Sequence, residues 1–184
     1  MTRKNGKRLV IDANIAHSAG TCEVPSSRYS RTSLEVVLEG DYVAVFNQSL
    51  RQEWKDHSSK YARIWWRSMS AQKRIEDTEG EEFAHHLDRA CACLEHDSWK
   101  GALRKDFHLV RSALASGQTI ISNENRFPLL VATACRTIQE FSSLYYANPA
   151  AEGDACILWI KAGAEKDTVR RIDVWAENHQ KIDQ

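Results

Sequence analysis

No net charge remains on the chain: 25 Lys and Arg balance 25 Asp and Glu over 184 residues. A basic field over the whole surface, of the kind that attracts nucleic acid unspecifically, is thereby excluded, although a local basic rim is not. Cysteines are few and ill-assorted. The five, at positions 22, 91, 93, 135 and 156, are odd in number and contain no CxxC pair. They suggest neither a disulfide framework nor a zinc site, and a reducing cytoplasm is the simplest setting. The start, MTRKNGKRLVIDANIA, carries basic residues but no apolar run long enough for a signal peptide or a membrane span. A soluble, cytoplasmic protein with no membrane partner is expected. Internal repeats and low-complexity tails are also missing. The hydrophobic fraction of 42% and the six tryptophans supply enough apolar area for a real core. The length fits a single domain, residues 1–184, with elaborations.

Strand-like and helix-like stretches alternate. Arg8 to Ile11 reads as a short strand ended by Asp12. The polar region Ser18 to Ser33 reads as a loop running into a helix at Ser33 to Leu38. Tyr42 to Phe46 is a second strand. Ser49 and Gln52 have capping-box spacing, so a helix is expected to start there, with Glu53 in its first turn or just beyond. Between 58 and 100, Tyr61, Ile64, Trp65 and Met69 suggest one helix. An acidic turn over Asp77 to Glu82 follows, then a second amphipathic helix through Phe83, Leu87, Ala90, Cys91 and Leu94. This block is expected to pack as a helical insertion. A further helix opening near Ser98 runs through Asp106, with Phe107, Val110, Ala113 and Leu114 on one face. Gly117 is placed to end it in a left-handed conformation. Thr119 to Ile121 has the β-branched character of a strand covered on both faces. Pro128 to Arg136 reads as a helix and Phe141 to Tyr146 as a strand. A helix from Asn148-Pro149 buries Ile157, Leu158 and Ile160. In a last helix, capped by Asp167, Val169, Ile172, Trp175 and Ala176 share a face. The alternation predicts an α/β fold with a central parallel sheet and helices on both sides.

In such sheets ligands bind beyond the carboxyl ends of the strands, and three strands here run into polar residues. Asp12 follows the first, Asn47 to Glu53 the second, and Ser122, Asn123, Glu124 and Asn125 the third. Asp106 comes from the helix before the third strand, at the edge of its apolar face. Parallel strands would bring Asp12, Glu53, Asp106 and Glu124 to one edge. Four clustered carboxylates repel one another and call for a cation, and hard oxygen donors suit Mg²⁺ or Mn²⁺. Each acid has an ordinary explanation too. Asp12 suits a turn, Glu53 suits the start of a helix dipole, and Glu124 suits a loop. Asp106 beside an apolar face is harder to explain without a partner.

These segments also resemble a family. RLVIDANI, NQSLRQEW, DFHLVRSALASGQTIIS and NENRF look like the successive motifs of PIN-domain ribonucleases, most of all the VapC-type toxins of toxin–antitoxin pairs. The strand-D-x-[NST] motif is matched by Asp12 and Asn14, and the glutamate after the second strand by Glu53. The D-x-x-L-x-x-A-L-A helix is matched by Asp106, Leu109, Ala113, Leu114 and Ala115. The [ST]-x-[DE]-x-x-F loop is matched by Ser122, Glu124 and Phe127. The resemblance spans the chain except for much of 58–100, which is longer than compact toxins carry. The loop acid is usually aspartate, and the longer glutamate arm here moves its carboxylate. What the resemblance implies is a PIN-like three-layer α/β/α fold and a Mg²⁺- or Mn²⁺-dependent endoribonuclease. Asp12 and Asp106 would be the main ligands, Glu53 would bind a second metal or orient the water, and Glu124 would be a conditional ligand. Asn14, Ser122 and Asn123 would tune the site. RNA is the implied substrate, with an antitoxin or other regulatory protein, and a second copy of the chain, as implied partners.

Arg51, Lys55, Arg63 and Arg67, interleaved with Trp65 and Trp66, read equally as an RNA path and as a solvated helix face. One of the two tryptophans is expected in the core. His85 and His86, with Asp88 and Cys91, read as a solvated face rather than a metal cluster. His108, two positions past Asp106, is expected to point away from it, and His17 and Cys22 have no evident partner. The rival functions are a non-catalytic PIN-like module binding RNA or protein, and a doubly wound phosphotransfer domain. The latter lacks a convincing lysine on a later strand.

Overall fold

A computed structural model describes residues 6–179; the basic residues Arg3 and Lys4 weighed above lie outside that range. Five strands form one parallel sheet: β1 (Lys7–Ile11), β2 (Tyr42–Phe46), β3 (Ile75–Asp77), β4 (Thr119–Ile121) and β5 (Tyr145–Ala147), in the order β3-β2-β1-β4-β5. Ten helices accompany it among the described residues: α1 (Ala13–Ser18), α2 (Pro25–Glu39), α3 (Gln48–His57), α4 (Lys60–Ala71), α5 (His86–Ala92), α6 (Asp97–Leu114), α7 (Arg126–Ala134), α8 (Pro149–Glu152), α9 (Asp154–Lys161) and α10 (Ile172–His179). They flank the sheet in two packing groups: α1 to α4 with α8 and α9, and α5, α6, α7 and α10. The expected α/β architecture with a parallel central sheet is present, and it is compatible with three α/β/α layers.

Strand register explains why the site lies where it does. Ile11 pairs with Ile121, which pairs with Ala147, and Val10 pairs with Val45. The next residues along the chain, Asp12, Asn47, Ser122 and Asn148, therefore emerge at one edge. Three of them are buried polar residues at the end of apolar strands, so each must find hydrogen bonds there.

Several expectations are corrected. The supposed loop before Ser33 is mostly helix: α2 starts at Pro25, with proline in the first turn. Its buried face carries Ser27, Ser30 and Ser33, small enough for close helix packing but invisible to a search for apolar periodicity. Asn47, not Ser49, caps α3 by accepting from the Leu50 N–H at 2.8 Å. Glu53 thus falls in the second turn. The 58–100 block is not purely helical, because it supplies the edge strand β3. The carboxylate of Glu76 takes two bonds from Arg8, at 2.7 and 3.1 Å. Just before β3, buried Arg74 donates to the carbonyls of Val37, Leu38, Gly40 and Tyr42, satisfying the end of α2 where helices leave carbonyls unpaired. The helix expected from Phe83 to Leu94 is a 3-10 turn, Glu81–Phe83, followed by the short α5.

Gly117 does not take the left-handed conformation; Gln118 does, at φ 63°. Glycine is needed for another reason: a Cβ at 117 would lie 2.0 Å from the Arg8 carbonyl oxygen. The strand expected at 141–146 is a 3-10 turn, Gln139–Ser143, and then β5. Gly153 breaks the helix expected from Pro149 into α8 and α9. Asp167 caps a 3-10 turn, Thr168–Arg170, ahead of α10. Leu158, Val169 and Ile64 are exposed rather than buried. His86 is buried instead of solvated, against Phe83 and Phe141. Trp65 is the core member of its pair, and Trp66 is half-buried. No helix among the described residues is long and apolar enough to cross a membrane.

Candidate active site

Asp12 leaves β1 and at once becomes the N-cap of α1, its Oδ1 accepting from the Asn14 N–H at 3.3 Å. Its other oxygen accepts from the Ser122 hydroxyl at 2.7 Å. Ser122 is the hub. Its oxygen also accepts from the Asn14 side-chain amide at 2.9 Å and from the Glu124 N–H at 3.1 Å, while the Asn123 N–H donates to the Asn14 side-chain Oδ1 at 3.0 Å. This network holds the ends of β1 and β4 in one arrangement. Asn123 serves as a strut, its side chain bridging Ser30 and the Ala150 N–H, rather than as a group facing the cleft.

Around this network lies a cleft of about 350 Å³ lined by Asp12, Asn14, His17, Glu53, His57, Lys105, Asp106 and Glu124, together with Ala13. All four acids singled out from the sequence are thus brought to one cavity. Their environments differ. Asp12 opens partly into the cleft, yet burial pushes its carboxyl up against the opposing hydrogen bonds from Ser122 and Asn14. Asp106 is pushed up to about 6, first by burial and then by the charge of Asp12, with Lys105 and His108 opposing. No hydrogen bond or ion pair engages the Asp106 carboxylate among the described residues, which is the costly state for a half-buried acid. Glu53, on the second turn of α3, lies with Oε2 3.6 Å from His108 Nε2. Glu124 is exposed and accepts from the Arg126 N–H at 3.0 Å, so one of its oxygens already caps its own turn.

Three neighbouring histidines were missed. His108 does not turn away into structure alone. Its Nδ1–H donates to the Lys105 carbonyl at 3.0 Å, which leaves Nε2 buried, unpartnered and directed toward Glu53. The Asn47 amide donates to the His108 carbonyl and to the Ser112 hydroxyl, clamping α6 against the start of α3. That clamp overrides what spacing along α6 alone suggests. His57 follows Glu53 by four residues, a spacing that places both on one helix face and could have revealed it. His17, at the end of α1, donates from Nδ1 to the His57 carbonyl at 3.3 Å.

No family model, curated protein or solved structure matches this chain. Its chemistry must be read from the cleft. Carboxylate oxygens are the donors that Mg²⁺ or Mn²⁺ prefers, and in this cleft burial pushes up the carboxyls of Asp12 and Asp106, the latter also through the charge of Asp12. Among the described residues no three His, Cys, Asp or Glu side chains stand close enough to hold an ion outright. The cleft thus offers the right donors and an uncompensated charge, not a closed cage, and the residues fit such a cation in kind. A larger cavity, about 530 Å³ and lined by α7 and α10 residues, contributes only Asp173 and Glu177 as acids.

Proposed function

We propose that the chain is a Mg²⁺- or Mn²⁺-dependent endoribonuclease of PIN-like fold, of the kind that serves as the toxin in toxin–antitoxin pairs. The convergence of Asp12, Glu53, Asp106 and Glu124 in one cleft, at the carboxyl edge of a parallel sheet, carries this reading. Asp12, fixed from both sides by Asn14 and Ser122, and Asp106, which lacks a hydrogen-bond partner, would hold the metal. The metal would lower the pKa of bound water and offset charge on the phosphoryl group. Glu53 Oε2 would take the proton of the attacking water, with His108 Nε2 beside it. The water oxygen would bond to phosphorus as the bond to the 3′-oxygen breaks, leaving a 5′-phosphate and, after protonation from solvent, a 3′-hydroxyl. Glu124 would contribute less, because its carboxylate is engaged by the backbone of Arg126.

Purified protein incubated with single-stranded RNA and Mn²⁺ should cut it, and Asp12→Asn should not. Cleavage that survives Asp12→Asn undiminished would remove the assignment. A folded wild type that leaves RNA intact in the presence of metal would favour a non-catalytic binding module.

A further inference from the structure

A second depression lies round α3 from the acids. Arg51, Trp54, Lys55 and Ser58 of the α3 region and Arg63, Trp66 and Arg67 of α4 line a groove of about 390 Å³. The spacing explains the division of labour. Residues 51, 54, 55 and 58 form one stripe of a helix, whereas 53 and 57 lie well round from it and face the acid cleft. The floor of the groove is aromatic. Buried Trp54 packs on Phe46, Trp65 and Trp66, and its indole N–H donates to the Ile11 carbonyl at 2.9 Å, next to Asp12. The cations on the rim are unequal. Arg51 is paired with Asp77 at 2.5 Å and its guanidinium lies 5.2 Å from the Trp66 ring centre. Lys55, Arg63 and Arg67 are exposed and make no ion pair with any described acid.

From this we infer that the groove is a binding site for single-stranded RNA, in which an unpaired base stacks on Trp66 and the flanking phosphates meet Lys55, Arg63 and Arg67. The inference rests on the nuclease reading for the choice of RNA and goes beyond it in naming where the strand is held. An acidic peptide would use the cations but has no need of a flat aromatic face, whereas a nucleotide uses both. Only an unpaired base can reach such a face, so duplex is the wrong substrate. The location also has an electrostatic logic. Four carboxylates repel a polyanion, and a strand anchored on the uncompensated cations across α3 is delivered to them despite that repulsion.

The test uses the full chain carrying Asp12→Asn, so that RNA survives, and a fluorescently labelled oligouridine, with anisotropy as readout. Arg63→Gln with Arg67→Gln should weaken binding about tenfold and flatten the logarithmic salt dependence by roughly 1.4, about 0.7 for each lost phosphate contact on a single strand. Trp66→Leu should cost roughly fivefold or more, and Trp66→Phe should restore most of it. Circular dichroism and melting of each variant separate binding loss from unfolding. Unchanged affinity in the double arginine variant overturns the proposal. So does polyglutamate competing as well as oligouridine, with Trp66→Leu neutral. Groove-dependent binding by a protein that never cleaves leaves the groove standing and sinks the nuclease. Cleavage and binding both indifferent to the groove variants do the reverse.

Discussion

Helix α3 separates two regions with opposite characters. On one side Glu53 joins Asp12, Asp106 and Glu124 in a cleft where burial pushes the Asp12 and Asp106 carboxyls up and the Asp106 carboxylate has no hydrogen-bond partner among the described residues. On the other, Lys55, Arg63 and Arg67 surround aromatic rings and remain open to water. Asp12 is held at the end of β1, through a hydrogen-bonded network with Asn14 and Ser122 that fixes it, and α3 and α6 bring Glu53 and Asp106 to it. The cations sit on helix surfaces, where long side chains keep their rotamer freedom. The first arrangement suits chemistry, which needs a few groups in one geometry. The second suits holding a polymer, which tolerates slack. If this division is right, damage to the cleft should appear in kcat, and damage to the groove in KM.

The largest effect should follow Asp12→Asn. Asparagine can still cap α1 and meet Ser122, so the fold should persist, but the charge is gone. Loss of several kcal/mol of transition-state stabilisation corresponds to a drop on the order of a thousandfold in cleavage rate at saturating RNA. Arg63→Gln with Arg67→Gln should leave that saturating rate within about twofold and raise KM instead. Equal losses of kcat from both sides of α3 would dissolve the contrast.

Ser122→Ala comes next. The hydroxyl touches no substrate in this scheme, yet it bonds Asp12, Asn14 and the Glu124 backbone at once. Removing an outer partner of a metal-binding carboxylate typically costs about 10–100-fold in metal affinity or activity. Mn²⁺ titration followed by melting temperature would measure it, and an affinity equal to wild type would show the network to be ornamental to the cleft.

Much of this was legible in the sequence, for reasons that also mark its limits. β1, β2 and β4 are apolar runs ending in polar residues, so strands and site announced themselves together. α6 displayed its face through Phe107, Val110 and Ala113. β3 was hidden because an edge strand reading Ile-Glu-Asp has no core face to signal, and its two acids are occupied by Arg8 and Arg51. The first half of α2 was hidden because serines, not leucines, make its contacts. His108 was hidden for a third reason. Spacing along one helix says nothing of a neighbour, and only the packing of α3 on α6, locked by Asn47, brings Glu53 to it.

A smaller effect separates the two regions by pH. On the proposed reading a metal held by Asp106 would have to displace its proton, and that carboxyl is pushed up to about 6, so metal affinity should be close to full well above that value and fall about tenfold per unit below it. Isothermal titration of Mn²⁺ at about pH 7.5 and pH 5 would show the change. Oligouridine binding in the groove, carried by arginine and lysine, should stay level over the same window. A groove that weakens in step with the cleft would mean that the two sites are one.

The smallest predicted effect is on stability, and its sign is opposite to the usual one for a mutated site. The folded state raises the Asp106 carboxyl above its ordinary value, so between pH of about 4 and 6 it binds more protons than the unfolded chain does. Stability therefore falls as pH rises through that window, and above it the full penalty of the charged form is present. Asp106→Asn removes the charge, and at neutral pH it should stabilise the metal-free protein by about 1 kcal/mol once the carboxyl's partial exposure to water is discounted. The gain should vanish below pH of about 4, where the native acid is protonated too. Melting curves of both proteins at about pH 7.5 and pH 3.5, with chelator present, would decide it. Adding Mn²⁺ should reverse the order at neutral pH, since only the carboxylate can draw stability from the ion. Arg67→Gln, which removes a charge already in water, should shift neither curve. A destabilised Asp106→Asn protein would mean that this acid holds the fold together rather than waiting for a cation.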